Sequence, residues 1–138
     1  MAEQAANELH VEVVSADRVV WSGEATMVVA RTVEGDVGIM AGHAPMLSVM
    51  VPNGVEIVTT AGGREIVAVD GGFVSVAAGR VSILSEYATL AEEISLADAE
   101  KRLAAATSRL ETTGDDDEDA RREMQRAEAQ VRAARKAS

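Results

Sequence analysis

The amino-acid composition changes abruptly near Glu92, and this change constrains the fold of the 138-residue chain more than any other feature. Before Glu92, valine dominates, glycines interrupt short runs, and apolar residues alternate with polar ones. After it, alanine, arginine and glutamate prevail, and Gly114 is the sole glycine. Valine is stiff about its first side-chain torsion and favours strands, whereas alanine with charged residues favours helix. The sequence therefore predicts an all-β part followed by an all-α part.

The first part, residues 1–90, is predicted to form an all-β sandwich of about ten strands. Apolar residues alternate with polar ones in many short runs, so one face of each strand is buried. Turn signals at Pro52-Asn53-Gly54, Gly62-Gly63 and Ala78-Gly79 supply the positive backbone angles that hairpins need. Short strands at this spacing are typical of a sandwich. The runs that indicate strands are Leu9–Ala16, Val19–Glu24, Ala25–Arg31, Val33–Met40, Met46–Val51, Gly54–Thr60, Gly63–Asp70, Gly71–Ala77 and Arg80–Tyr87.

The second part, residues 91–138, predicts an antiparallel two-helix hairpin. Two stripes of apolar residues recur at intervals of three and four: Leu96, Ala99, Leu103, Ala106, Leu110 and Ala120, Met124, Ala127, Val131, Ala134. Ser95 is a suitable N-cap for the first helix and Gly114 a suitable end, while Asp115–Asp119 favours the start of the second. Alanine seams bury little apolar area, so we expect the hairpin to be marginally stable alone and able to change its docking.

Charge is distributed unevenly along a chain of net charge -10. Residues 1–94 hold 13 acidic and 4 basic side chains, whereas residues 120–138 hold 2 acidic and 6 basic ones. The overall negative charge argues against nucleic acid as a partner, and the few aromatic residues offer no base-stacking platform. The basic C-terminal end is interpreted either as a solvated helix face or as a cationic arm for an acidic partner surface.

Several function classes lack the residues they need. The absence of cysteine excludes disulfides and thiolate metal sites, and two histidines are too few for a three-histidine metal site. No glycine-rich phosphate loop is present, so neither a cofactor nor an enzyme of that type is predicted. No apolar run approaches the roughly 20 residues of a membrane span. Because Met1–Glu8 contains no basic residue, we expect an intracellular, unprocessed chain.

The most unusual segment is Gly35–Met46, which combines three glycines, a histidine and Pro45. One interpretation is a structural corner between two strands. The functional interpretation is a rigid loop that presents Asp36, Met40 and His43 to a partner protein. Two alternatives stay open: a stand-alone sandwich in which this loop forms a small-ligand pocket, and an enzyme or metal site using Asp36 and His43, for which no third group is indicated.

The segment Gly35–Met46 resembles the G-[DE]-x-G-I-x-P-G-H-x-P-[LM] pattern of the epsilon subunits of bacterial F-type ATP synthases. Its residues are Gly35-Asp36-Val37-Gly38-Ile39-Met40-Ala41-Gly42-His43-Ala44-Pro45-Met46. Two later segments match the G-G-F strand pair of that family: Asp70-Gly71-Gly72-Phe73-Val74 and Val81-Ser82-Ile83-Leu84. Val20-Trp21-Ser22-Gly23 resembles its opening hairpin. These motifs follow the order of the family over nearly the whole chain. Ala41 replaces the usual proline, which loosens the corner slightly.

The resemblance implies a non-catalytic rotor subunit at the foot of the central stalk. Its sandwich would bind the gamma subunit and the c-ring, and it would couple proton-driven rotation to ATP synthesis. Asp36, Met40 and His43 would face the c-ring loops or gamma. The protein would then lie at the cytoplasmic face of the cell membrane as a peripheral protein, touching the membrane only indirectly through the c-ring.

The resemblance also implies a regulatory role for the hairpin. In this family the hairpin lies folded on the sandwich or extends into the alpha/beta catalytic head, and the extended form blocks ATP hydrolysis. Basic residues of the hairpin would meet acidic residues of a catalytic beta subunit. The residues implied for this contact are Arg121, Arg122, Arg126 and Arg132.

Some family members bind ATP at the hairpin through an I-D-x-x-R-A motif. The matching stretch here is Ile94-Ser95-Leu96-Ala97-Asp98-Ala99, with Ser95 at the acidic position and Asp98 at the arginine position. A missing cation and a new anion beside a phosphate-bearing ligand disfavour binding. No tight ATP site is therefore expected.

Overall fold

A computed structural model describes residues 7–138. In this part of the chain, nine strands and a short 3-10 helix (Ala91–Glu93) precede two α-helices. The strands are β1 (Leu9–Val14), β2 (Val19–Thr32), β3 (Gly35–Met40), β4 (Met46–Val49), β5 (Asn53–Thr59), β6 (Arg64–Val69), β7 (Phe73–Ala77), β8 (Arg80–Leu84) and β9 (Ala88–Leu90). The helices are α1 (Leu96–Thr113) and α2 (Glu118–Ala137). This order confirms the predicted fold class.

The strands form two half-sheets that share β2. Hydrogen-bonded neighbours run in the order β4-β7-β8-β1-β2-β5-β6-β9, and β3 pairs with β2. β1 pairs with the first half of β2, whereas β3 and β5 pair with the second half. The register shifts between Ala25 and Met27, and such an irregularity bends a strand. We call β4, β7, β8, β1 and the start of β2 the first half-sheet, and the remaining strands the second half-sheet.

The core lies between the two half-sheets and is aliphatic. Val11 of β1, Val74 of β7, Ile57 of β5 and Val67 of β6 are fully or almost fully buried in one cluster. These strands lie on both sides of β2 in the sheet order, so the half-sheets must face each other as a sandwich. Phe73 is excluded from this core and is 48% exposed.

Most predicted strand ends lie within three residues of the observed ones, and two strand assignments differ from the prediction. Val19–Glu24 and Ala25–Arg31 were predicted as separate strands, but they form the single strand β2. A bend without a turn residue leaves no composition signal, which explains the difference. The short strand Ala88–Leu90 was not predicted; it pairs with the end of β6.

The predicted turns are confirmed at two of three sites. Gly62 has a φ of 92°, and Ala78 and Gly79 have φ values of 50° and 77°. The third prediction was wrong, because Asn53 and Gly54 lie inside β5 and Gly54 has no positive φ. Gly54 is instead required by the packing of α2, as described below.

The predicted helix ends are confirmed. The Ser95 hydroxyl accepts a hydrogen bond from the Asp98 backbone N–H at 3.3 Å. Gly114 ends α1 with a φ of 85°. Asp117 caps α2, because its carboxylate accepts from the Ala120 backbone N–H at 3.1 Å.

The hairpin lies against the outer face of the second half-sheet. α2 occupies the middle layer, in contact with α1 on one side and with β5 and β6 on the other. Ala99 and Ala106 of α1 and Ala127 of α2 are buried, as the predicted seams require. No helix within residues 7–138 has the length and apolar character that crossing a membrane demands. The division into two domains at residue 90 stays a prediction.

Candidate functional site

The segment Gly35–Met46 forms β3 and the tight corner that follows it. The His43 backbone N–H donates to the Met40 carbonyl at 3.0 Å, and Gly42 inside this turn has a φ of 87°. A side chain at that backbone angle would be strained, which accounts for the glycine. The corner is thus a preformed surface element.

The structure places Asp36, Met40 and His43 along a ridge rather than in a cluster. Asp36 and Met40 are exposed and lie on one face of β3, separated by four residues or about 13 Å of strand. His43 follows in the turn, where its Nδ1 donates to the Ala44 carbonyl at 2.7 Å. Asp36 and His43 therefore lie at opposite ends of the segment, which disfavours the alternative of a joint metal or acid–base site. No group of three potential metal ligands occurs within residues 7–138.

Asp36 is held in place by Arg31 on the neighbouring strand β2. Arg31 Nε lies 2.8 Å from Asp36 Oδ1, and Nη2 lies 3.4 Å from Oδ2. This hydrogen bonding, aided by the positive charges of Arg31 and Lys136, lowers the pKa of Asp36 below its ordinary value. Asp36 is consequently an ionised and oriented carboxylate at neutral pH.

A cavity of about 360 Å³ borders this ridge. It lies between the β2–β3 turn and β4, and Glu34, Asp36 and Leu47 are among the residues that line it. Val33 and Leu47 beside it are 63% and 71% exposed. The surface therefore combines acidic and apolar groups, which suits a protein loop that carries both a cation and apolar side chains.

A second surface, which sequence analysis did not predict, crosses the outer face of the first half-sheet. Five apolar residues lie opposite one another on five adjacent strands: Val49, Phe73, Leu84, Val14 and Val19. We call this set the apolar row. Val49, Phe73, Leu84 and Val19 are 44% to 54% exposed.

The apolar row has the character of a protein interface. Single exposed apolar residues are common on soluble proteins, but an aligned set across a sheet marks an interaction surface. A sequence signal for it exists, since Val74 and Val76 alternate with the polar Ser75 and one face of such a strand is buried. Strict alternation then puts Phe73, and Leu84 opposite it, on the outer face.

The third surface is the contact between α2 and the sandwich, which depends on small residues. A Cβ atom on Gly54 would lie 2.7 Å from Ala133 Cα. Ala68 of β6, together with Ala129 and Ala133 of α2, is completely buried in this contact. This second stripe of α2 was not predicted; its signal is the four-residue spacing of the two alanines.

A buried carboxylate anchors α2 beside this apolar contact. Arg126 Nε lies 3.1 Å from Asp70 Oδ2, and the Asp70 side chain is only 9% exposed. The Ser85 hydroxyl donates to Asp70 Oδ1 at 2.9 Å. Arg126 also lies 5.4 Å from the centre of the Tyr87 ring, whose hydroxyl accepts from Gln130. This set of contacts ties the middle of α2 to the sandwich.

The four arginines implied for partner contact have two different environments. Arg126 and Arg132 point to the sandwich, since Arg132 Nη1 donates to the Pro52 carbonyl at 2.5 Å. Arg121 instead donates to the Asp115 carbonyl in the hairpin loop. Arg122 is exposed at the same end of α2. The structure thus separates a pair engaged in docking from a pair near the hairpin tip.

Comparison with known proteins agrees with these features. Residues 8–91 match the family model of the ATP synthase Delta/Epsilon chain beta-sandwich domain. The ATP synthase epsilon chain of Streptomyces griseus is 55% identical over 75% of this chain and 83% of its own length. That of Corynebacterium diphtheriae is 41% identical over 94% of this chain and 95% of its own length.

The fold also occurs in a solved structure. A chain in the Euglena gracilis mitochondrial ATP synthase (OSCP/F1/c-ring) superposes with a TM-score of 0.75 over 95% of this chain and 81% of its own length. The sequence identity is 23%, so this likeness concerns the fold. The family match spans more than half of this chain, and curated relatives above 40% identity cover most of it. This protein therefore belongs to the ATP synthase epsilon-chain family, whose members are non-catalytic subunits of that complex.

Proposed function

We propose that this epsilon chain is the rotor adaptor of its ATP synthase. Its sandwich binds the gamma subunit and the c-ring, and it passes proton-driven rotation of the ring to the catalytic head. The observation that carries this proposal is the apolar row, because an exposed aligned row of this kind requires a permanent protein partner. The row continues across five hydrogen-bonded strands, so it is a stiff surface suited to transmitting torque.

Gamma is assigned to the apolar row. Burying a half-exposed Val, Leu or Phe side chain stabilises a complex by roughly 1 kcal/mol. Four such residues, Val49, Phe73, Leu84 and Val19, supply an apolar centre for the contact. A permanent interface has an apolar centre of this kind.

The c-ring loops are assigned to the ridge of Asp36, Met40 and His43. The ridge is rigid, because Arg31 fixes one end and the Met40–His43 turn fixes the other. Its acidic and apolar groups suit polar loops with basic side chains. With this contact, the chain is peripheral at the cytoplasmic face of the membrane and touches the membrane only through the ring.

The hairpin is assigned to inhibition of ATP hydrolysis. In the docked position, Arg126 and Arg132 are engaged with the sandwich. Undocking releases both guanidinium groups, which then join Arg121 and Arg122 in contacting acidic residues of the catalytic beta subunit. Two states separated by a few kcal/mol are sufficient for such a switch. Removal of residues 95–138 from the assembled enzyme is expected to raise ATP hydrolysis.

The rotor role is tested by capture of the full-length chain on immobilised gamma. Phe73→Glu places a charge in the centre of the apolar row and is expected to weaken capture at least tenfold. Val33→Glu is the matched control, because Val33 is also exposed but lies in the β2–β3 turn. Capture of a folded Phe73→Glu variant at the wild-type level would contradict the assignment.

A second candidate function is small-ligand binding by a stand-alone chain. The 360 Å³ cavity beside Asp36 and Leu47 favours it. It predicts a ligand-dependent rise in melting temperature without any partner. Family membership favours the rotor role over this alternative.

A further inference from the structure

Basic residues gather around another cavity, at the C-terminal end of α2. This cavity of about 270 Å³ lies between that end of the helix and strands β2 and β5. Its lining consists of Arg31, Asn53, Gly54, Arg132, Arg135 and Lys136. Four of these six residues are cationic, although the chain has a net charge of -10. Like charges repel, so their concentration in one place indicates an attraction for anions.

The charges around this cavity do not balance. Three of the four cations contact a carboxylate: Arg31 with Asp36 at 2.8 Å, Arg132 with Glu128 at 2.7 Å, and Arg135 with Glu100 at 2.9 Å. Lys136 Nζ instead donates to the Gly54 carbonyl at 3.0 Å; it forms no direct ion pair with a described residue, and its charge acts on Asp36 from a distance. The rim therefore carries one more positive than negative charge.

Donor groups are also left over for a ligand. Arg31 uses Nε and Nη2 on Asp36, and Arg135 uses Nη2 on Glu100. The Nη1 group of each guanidinium makes no hydrogen bond to a described residue. An ammonium has three donors, of which Lys136 uses one on Gly54. The sandwich and the helix thus each contribute cationic donors to the same cavity.

We propose that this cavity binds a small multivalent oxyanion of the phosphate class. The anion bridges Arg31 of the sandwich to Arg135 and Lys136 of α2, and it thereby stabilises the docked hairpin. With a volume of about 270 Å³, the cavity accommodates inorganic phosphate, diphosphate or the terminal phosphates of a nucleotide. The proposal depends on the docked position of α2 and not on the rotor role.

The test is titration of the isolated full-length chain with sodium diphosphate, inorganic phosphate and ATP in separate arms. Binding is measured by calorimetry and by amide shifts at Asn53 and Gly54. Diphosphate is expected to bind and to shift both amides. If ATP shifts the Asn53 and Gly54 amides in the same way, its terminal phosphates bind this cavity as diphosphate does. ATP shifts centred on Tyr87 and Gln130, without any diphosphate effect, would overturn the proposal.

Two matched variants remove the same charge from opposite ends of α2. Arg135→Ala/Lys136→Ala is expected to weaken diphosphate binding at least tenfold, whereas Arg121→Ala/Arg122→Ala leaves it unchanged. Equal binding by both variants would overturn the proposal. Arg31→Gln, which leaves the helix intact, is expected to weaken binding as well, so undocking by the first variant cannot alone explain the result. Capture on gamma is a separate readout, so failure of this proposal and failure of the rotor role are distinguishable.

Discussion

Gly54 of β5 lies so close beneath Ala133 of α2 that a Cβ atom on the glycine would come within 2.7 Å of Ala133 Cα. Glycine weakens a strand interior, so its presence in a buried strand usually marks a close approach of another backbone. Here that backbone is the helix. Because the obstructing atom belongs to the main chain, no side-chain rotation can relieve the overlap.

Gly54→Ala is therefore expected to displace α2 from the sandwich. Overpacking of this kind costs about 1–3 kcal/mol, which is comparable to the stability of a contact made largely of alanine. Hydrogen exchange of the α2 amides should accelerate while that of β1 and β8 stays slow. Gly38→Ala is the control, since Gly38 is also in a strand but a Cβ there meets no atom within 4 Å. Equal exchange in both variants would show that α2 does not depend on this contact.

Much of the fold could be predicted because local signals and tertiary packing agree. The caps at Ser95 and Gly114 need only their own helix turns, and the predicted alanine seams are buried as expected. Gly54 is a position where the local sequence signal and the tertiary packing disagree. A glycine after Pro52 and Asn53 has the chemistry of a turn, and only the position of a helix almost 80 residues later reveals its packing role.

The candidate surfaces were predicted less completely, for a related physical reason. The Gly35–Met46 corner could be found because its glycines and proline have local causes. The apolar row could not be read directly, since strands β4, β7, β8, β1 and β2 become neighbours only through the sheet order. Likewise, Asp70 and Tyr87 gave no signal alone, because their role depends on Arg126 of α2.

Arg126→Leu is expected to weaken hairpin docking more than Arg122→Leu. Removing Arg126 leaves the buried Asp70 carboxylate with only the Ser85 hydroxyl, whereas Arg122 is exposed. Since Arg126 is itself 40% exposed, solvent compensates in part, and the expected loss is about 1–2 kcal/mol. Chemical denaturation followed by helical circular dichroism measures the difference.

A double-mutant cycle with Asp70→Asn separates the ion pair from the packing of the Arg126 stem. We expect a coupling of about 1 kcal/mol between the two substitutions. Additive effects of Arg126→Leu and Asp70→Asn would mean that the ion pair itself contributes nothing to docking.

Hairpin stability is expected to depend on acid pH through Asp117. The backbone hydrogen bond from Ala120, followed by those from Thr113 and Arg109, lowers the pKa of Asp117 below its ordinary value. A lowered folded-state pKa means that the stabilisation is present above the unfolded value of about 3.9 and is lost as pH falls through the lower folded value.

Asp117→Asn isolates this pH dependence. Asparagine is an equally good N-cap but carries no charge, so helix α2 should still form. Melting curves between pH 7 and pH 2 should show that the stability difference between wild type and variant shrinks as the carboxylate is protonated. A difference that stays constant over this range would exclude Asp117 as the titrating group.

Arg121 and Arg122 lie in a different environment from Arg126, so substitutions at the two places should affect the inhibition of ATP hydrolysis in different ways. Arg121 and Arg122 lie near the hairpin tip and form no hydrogen bond or ion pair with the described residues of the sandwich, so replacing both by alanine should leave docking unchanged. If they contact the catalytic head, the double variant should inhibit ATP hydrolysis less in the assembled enzyme. Arg126→Ala should instead change both the docking of the hairpin and the inhibition of ATP hydrolysis. It releases the hairpin from Asp70 and also removes a cation from the extended form.

Measurement of ATP hydrolysis and of α2 hydrogen exchange on the same variants distinguishes these effects. Arg18→Ala is a suitable control, since Arg18 is a basic residue of the sandwich remote in sequence from the hairpin. Unchanged inhibition by the Arg121→Ala/Arg122→Ala variant would remove the hairpin tip from the contact with the catalytic head. The inhibitory contact would then have to be made by the docking arginines, and inhibition would be strictly coupled to release from Asp70.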